Sequence, residues 1–195
     1  MKENKYKHYL RLSRAMDKII GKENASRLLP IIKPVEDEEN AEVNFQWAAL
    51  VSTTLEKHLT VEEGIKVREQ CSCIMTRSNT GLIKKLQDFR NTVHDDNEYL
   101  VKVAEYLDGR GRCGKKVEYS DGKMYSHWQF GSQCVCHLSK GQWKKSPSLL
   151  WCECCKGSAL SVFKRLFDDK ECHSRIVETF ALESATDCVF EFWWE

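Results

Sequence analysis

The hydrophobic pattern changes period near Cys113, and that change restricts the chain to an α+β arrangement, with a helical layer first and an antiparallel sheet after it. Before Cys113, apolar residues recur at helical spacing. Tyr9, Leu10, Leu12, Met16, Ile19 and Ile20 mark an amphipathic helix over Tyr6 to Ile20 that stops at Gly21. Pro30 and Pro34 bracket a short extended stretch. A long helix follows, with the acidic run Glu36 to Glu39 near its positive end and Phe45, Ala48, Ala49, Ser52, Leu55 and Leu59 along one stripe. Thr60 with Glu63 matches a capping box and starts a helix running towards Cys71. Leu82, Ile83, Leu86, Phe89 and Val93 repeat the spacing. Asp95 or Asp96 then caps a helix carrying Leu100, Val103, Ala104 and Leu107, which ends at Gly109-Arg-Gly111.

After Cys113 the segments shorten. Val117 to Tyr119 and Met124 to Trp128 flank Ser120-Asp-Gly122, a hairpin signal. Strands are expected over Cys134 to Leu138 and Leu149 to Cys154, joined by a polar loop containing Gly141 and Pro147. A helix over 156–168 comes next, packed on the sheet, followed by strands over Ser174 to Leu182 and Thr186 to Trp194. In the last strand Cys188, Phe190, Phe192 and Trp194 share one face. The expected division is a helical region, 1–110, and a cysteine-rich α+β region, 111–195, forming one compact unit.

Within that second region the cysteines carry the chemistry. Cys134/Cys136 and Cys152/Cys154 are Cys-x-Cys pairs, and in a strand residues two apart face the same side. Two such strands brought together offer four thiolates, a full set for zinc or, alternatively, an iron–sulfur cluster. The competing reading is four small buried hydrophobes, since cysteine is often interior. Cys155 is a substitute ligand, a structural residue, or a weak candidate for a reactive thiol near a helix N-terminus. Cys71, Cys73 and Cys113 are secondary ligand candidates.

Ten cysteines in 195 residues are fewer than disulfide scaffolds carry. In a reducing compartment thiols serve more often as ligands or packing than as disulfides. A net charge of +1 provides no field for nucleic acid. The longest apolar run, Trp47 to Val51, is too short to span a bilayer, and the charged start lacks a secretion signal. A cytoplasmic protein is expected. Aromatic residues crowd the second half, among them Trp128, Phe130, Trp143, Trp151, Phe190, Phe192 and Trp194. They read as sheet core, or as the lining of a cavity for a small apolar ligand. No dinucleotide or phosphate-binding glycine pattern occurs.

The order Cys134-Val-Cys136, then Leu150-Trp-Cys152-Glu-Cys154-Cys-Lys-Gly157, a helix, Val177-Glu178 and Asp187-Cys-Val-Phe190 resembles an uncharacterised cysteine-rich family of anaerobic bacteria. The C-terminal half of that family resembles the 4-vinyl reductase domain, itself similar in fold to haem-NO-binding sensors. The likeness covers residues 110–195 and reaches the helical half only through Cys71 and Cys73. It implies a ligand-binding or sensory module, with Cys134, Cys136, Cys152 and Cys154 as the family's cysteines. The family's glycine-acidic segment reads here Glu183-Ser-Ala-Thr-Asp187-Cys188, without glycine.

The expected function is therefore that of a metal-binding, ligand-binding or sensory domain with structural zinc, non-enzymatic. The alternatives are a small-molecule hydrolase using a reactive cysteine or metal-bound water, and a non-catalytic interaction subunit. Candidate partners are a small apolar ligand and a second copy of the chain; neither nucleic acid nor a membrane is indicated.

Overall fold

Capping chemistry sets the helix starts. The computed structural model describes residues 7–34, 40–72, 80–128, 133–139, 141–182 and 184–195. At Thr60 the hydroxyl accepts from the Glu63 N–H at 3.2 Å, while the Glu63 carboxylate accepts the Thr60 N–H at 2.9 Å. Two donors that a first helical turn leaves bare are thereby satisfied, and α4 (Val61–Gln70) begins there. Asn40 caps α3 (Ala41–His58) by accepting from the Glu42 and Val43 N–H groups. Asp95 caps α6 (Asp96–Leu107) by accepting from Glu98. Ahead of these, α1 (Lys7–Ile19) and α2 (Gly21–Leu28) meet at Gly21. Its φ of +81° is one that glycine adopts without strain, so the expected stop doubles as the start of a second helix. Helix α5 (Thr80–Asp88) runs into a single 3₁₀ turn, Phe89–Asn91.

The expected hairpin forms between β1 (Lys116–Ser120) and β2 (Lys123–His127). Asp121 and Gly122 both take positive φ, 52° and 76°, the two-residue turn whose twist matches that of the flanking strands. The sheet is completed by β3 (Cys172–Glu178) and β4 (Val189–Trp194), in the order β1-β2-β4-β3 with every pair antiparallel. Central β4 buries both faces. Phe190 and Phe192 point one way, while Glu191 on the other face lies between its register neighbours Tyr125 and Arg175 and binds Lys123 at 3.0 Å and Arg175 at 2.9 Å.

Two expected strands are absent where the sequence suggested them. Leu149 to Cys154 is the start of a helix, α7 (Leu149–Phe163), entered through Ser148, whose hydroxyl accepts the Trp151 N–H at 3.1 Å. The helix is buried on nearly every side, from Trp151 and Glu153 round to Lys156, Ala159 and Phe163, so it carries no amphipathic stripe to distinguish it from a buried strand. Cys134 to Leu138 is irregular backbone leading into a turn. Its carbonyls are drawn inwards by Ser139 instead of pairing with a neighbouring strand.

The architecture is α+β, with seven α-helices and four strands among the described residues. It separates into two compact units, Met1–Ser72 with Gln133–Gly157, and Cys73–Ser132 with Ser158–Glu195. These group the residues differently from a break at 110, because the segment Gln133–Gly157 belongs with the first four helices and the division falls inside α7. The first unit is centred on Leu12, Met16, Ile32, Val51 and Leu55, with Trp47 edge-on to Trp151 at 6.0 Å. The second is the aromatic one. Phe163 packs against Phe192 at 4.7 Å, Phe167 against Trp194 at 5.5 Å and Tyr99 against Phe167 at 5.4 Å. Those rings pack the core of the sheet unit through edge contacts. Glu36 to Glu39, Cys73, Phe130 and Glu183 lie outside the described residues. Among the described residues no helix is long and apolar enough to cross a membrane.

Candidate functional site

The first unit gathers most of the candidate thiols. Cys71 closes α4, its Sγ 3.3 Å from the Val67 carbonyl. From α7, Cys154 donates to the Cys71 carbonyl at 3.2 Å and Cys152 to the Ser146 hydroxyl at 3.1 Å. The loop 133–139 supplies Cys134 and Cys136. One buried hydroxyl shapes that loop: Ser139 Oγ lies 2.9 Å from the Cys134 carbonyl and 2.6 Å from the Cys136 carbonyl, and accepts the Gly141 N–H at 3.1 Å. The Cys134 N–H donates to Trp143 at 2.9 Å, and the Trp143 indole donates to the Ala41 carbonyl at 2.8 Å, fastening the loop to α3. Asn44 reaches the Leu138 carbonyl from the same helix.

Cys155 is the hub of this group. Burial first, then the neighbouring Cys154, Cys136, Cys152 and Cys134, push its thiol well above the ordinary range. Four other sulfurs from two separated segments therefore lie within electrostatic reach of this one. Helix geometry gives the reason. At 100° per residue, Cys152 and Cys155 lie about 60° apart on α7, Cys155 and Cys154 about 100° apart, and Cys152 and Cys154 on nearly opposite sides. A strand would have aligned Cys152 with Cys154. The helix instead sets Cys155 between them, and the expectation of a shared Cys152/Cys154 face is corrected accordingly. Burial likewise raises Cys136, with Cys154 adding to the shift, and raises Cys71 to about 11. The nine described cysteines are all thiols.

Charge surrounds the group. Arg68 is buried on α4; its guanidinium lies 3.8 Å over the Trp151 ring and donates to the Trp151 carbonyl at 3.2 Å. Its positive charge acts on Cys71, Cys136 and Glu153. On the next turn of α7, Lys156 is buried and binds Glu153 at 2.6 Å and Glu69 at 3.0 Å. The sequence reading overlooked these residues. A signal existed for Arg68, which shares the buried stripe Gly64, Val67, Arg68 and Cys71 at helical spacing.

His8 stands at the edge of this positive field. Burial lowers its pKa to about 4, and the charges of Arg11, Lys7, His137 and Arg68 act in the same direction. An unfolded chain takes up that proton near pH 6.5. Between pH 6.5 and 4 the unfolded state therefore binds more protons, so stability falls as the pH drops through that window. The urea midpoint is expected to decline between those values, and His8→Asn is expected to flatten that decline. An equally steep profile in the variant would assign it to other groups.

The remaining candidates sit in the second unit. Cys113 is fully buried there, its pKa pushed up to about 12 by burial, and its carbonyl accepts from the Ser126 hydroxyl. Cys188 is buried beside β4. His127 lies 3.1 Å from Glu118 and 3.5 Å from Asp187, and His173 stacks on Trp193.

Thiolates are ligands that suit a borderline ion such as zinc. Among the described residues no three His, Cys, Asp or Glu side chains already converge on a common point as bound ligands would. No protein-family model, curated protein or solved structure matches the chain.

Proposed function

We propose that the chain is a non-enzymatic ligand-binding or sensory protein whose first unit is organised by a structural zinc ion. The ligands would come from Cys134 and Cys136 on the loop, Cys155 on α7, and Cys152 or Cys154 beside it. One observation carries this reading: thiols from loop 133–139 and from α7 cluster about Cys155. Four thiolates on Zn²⁺ carry two net negative charges, and the buried Arg68 guanidinium nearby favours such an anion. Binding would displace the thiol protons, since a coordinating sulfur is deprotonated by the ion. A cytoplasmic location would keep the sulfurs reduced.

The hydrolase alternative finds less support. A nucleophilic cysteine needs a depressed pKa, whereas burial raises Cys71, Cys136 and Cys155 together.

The test is elemental analysis of the full chain purified without oxygen. About one zinc per chain is expected, falling close to zero in Cys136→Ser and in Cys155→Ser. Cys113→Ser and Cys188→Ser, altered in the second unit, should retain it. Unchanged metal in both first-unit variants would remove the reading. A visible absorption band with iron present would replace zinc by an iron–sulfur cluster.

A further inference from the structure

We infer that the first unit holds a binding site for a small amphiphilic amine, in a cavity between α3, α4 and the start of α7. This rests on the ligand-binding part of the proposed function and is independent of the metal. The cavity encloses 270 Å³. Its walls are aliphatic, built from Leu55, Leu59, Val61, Ile65, Leu149 and Leu150. A dry apolar cavity of about 150 Å³ already accepts benzene, so this one has room for a ring and a short chain. Val61 is 80% exposed and Leu149 47% exposed, so the apolar wall continues out to solvent and leaves a path inward.

The polar groups select the ligand's charge. Two carboxylates, Glu56 and Glu153, line the cavity, and no basic residue does. Glu153 is buried, and it shares a single ammonium with Glu69: Lys156 lies 2.6 Å from one carboxylate and 3.0 Å from the other. The Arg68 charge also acts on Glu153, but neither Arg68 nor Lys156 lines the cavity, whose own charged groups are the two carboxylates. An ammonium entering the cavity would meet the Glu56 and Glu153 carboxylates while its hydrocarbon body covers the leucines. A carboxylate ligand of the same shape would meet repulsion, and a neutral one would forgo the ion pair.

Isothermal titration of the full, metal-loaded chain with 2-phenylethylamine, 2-phenylethanol and 3-phenylpropanoate tests the assignment, with zinc content measured on every sample. The amine is expected to bind one to one and at least tenfold more tightly than the alcohol, with no measurable binding of the acid. Glu153→Gln should erase the preference for the amine while leaving the alcohol's weak binding intact. Gly64→Leu, which projects a side chain into the cavity beside Leu150, should abolish both. If that variant does not fold, the Glu153→Gln comparison decides alone. Equal affinity for amine and alcohol, or no heat from either in protein with an intact melting curve, overturns the proposal. Loss of zinc with amine binding retained would instead count against the metal reading only.

Discussion

Gly157→Ala is expected to destabilise the protein by about 3 kcal/mol, lowering the melting temperature by about 10 °C. An alanine methyl there would sit 2.5 Å from the Glu69 carbonyl oxygen and 2.6 Å from its Cα. Both are backbone atoms of α4, so neither can rotate away, and one helix must move off the other. Ordinarily glycine to alanine inside a helix gains about 1 kcal/mol, and the prediction is therefore one of reversed sign. Gly64 provides the internal control. A methyl at that position would meet only Leu150 side-chain carbons, 3.4 and 3.5 Å away, which is ordinary contact. Gly64→Ala should be neutral or slightly stabilising. Urea denaturation of both variants checks the pair, and a Gly157→Ala protein as stable as the parent would show that α4 and α7 do not approach so closely.

That close approach is one thing the sequence did not disclose, and the reason is physical. A glycine required by contact with another helix looks the same in sequence as one required by a turn. Legible features were local ones. Thr60 with Glu63, Asp95 and Asp121-Gly122 act through hydrogen bonds or dihedral angles within a few residues, and each is found where local chemistry places it. The terminal strands were legible for a similar reason, since alternating Phe190 and Phe192 have few other uses. The first half of α7 was not legible, although a helix was expected from residue 156, because burial on nearly every side removes the polar face that reveals a helix. The run Trp151-Cys-Glu-Cys154 then imitates strand alternation. Only Ser148 as a cap pointed the other way.

The same error reached the site. With the start of α7 assigned as strand, Cys152 and Cys154 appear to share a face and Cys155 appears to point away. As a helix it reverses their ranking, and Cys155 moves to the centre. The residues holding the opposite side, Ser139, Trp143 and Asn44, were invisible for another reason: they act through contacts far apart in the chain, such as the Trp143 indole on the Ala41 carbonyl. Composition could offer the cysteines as candidate ligands. It could not say which of them turn towards one another.

If the proposed zinc organises the first unit, its removal under reducing conditions is expected to unfold that unit while leaving the sheet unit protected. A structural zinc contributes on the order of 10 kcal/mol to folding, comparable with the whole stability of a typical domain. The loop 133–139 contains no regular strand or helix to retain it, and its backbone relies on Ser139 and the Trp143 attachment. The sheet unit has its own aromatic core in Phe163, Phe190 and Phe192 and loses no metal-bound residue. Hydrogen exchange after chelation should therefore lose protection across α1, α3, α4 and residues 133–157 before it is lost in β1, β2 and β4. Zn²⁺ should restore that protection and Mg²⁺ should not, because a hard ion has little affinity for thiolates. Cobalt in place of zinc should colour the protein through its sulfur ligands. Identical exchange in metal-free and metal-loaded protein would leave the thiols of α7 and the loop as packing alone, since a structural ion cannot be withdrawn without loosening what it holds.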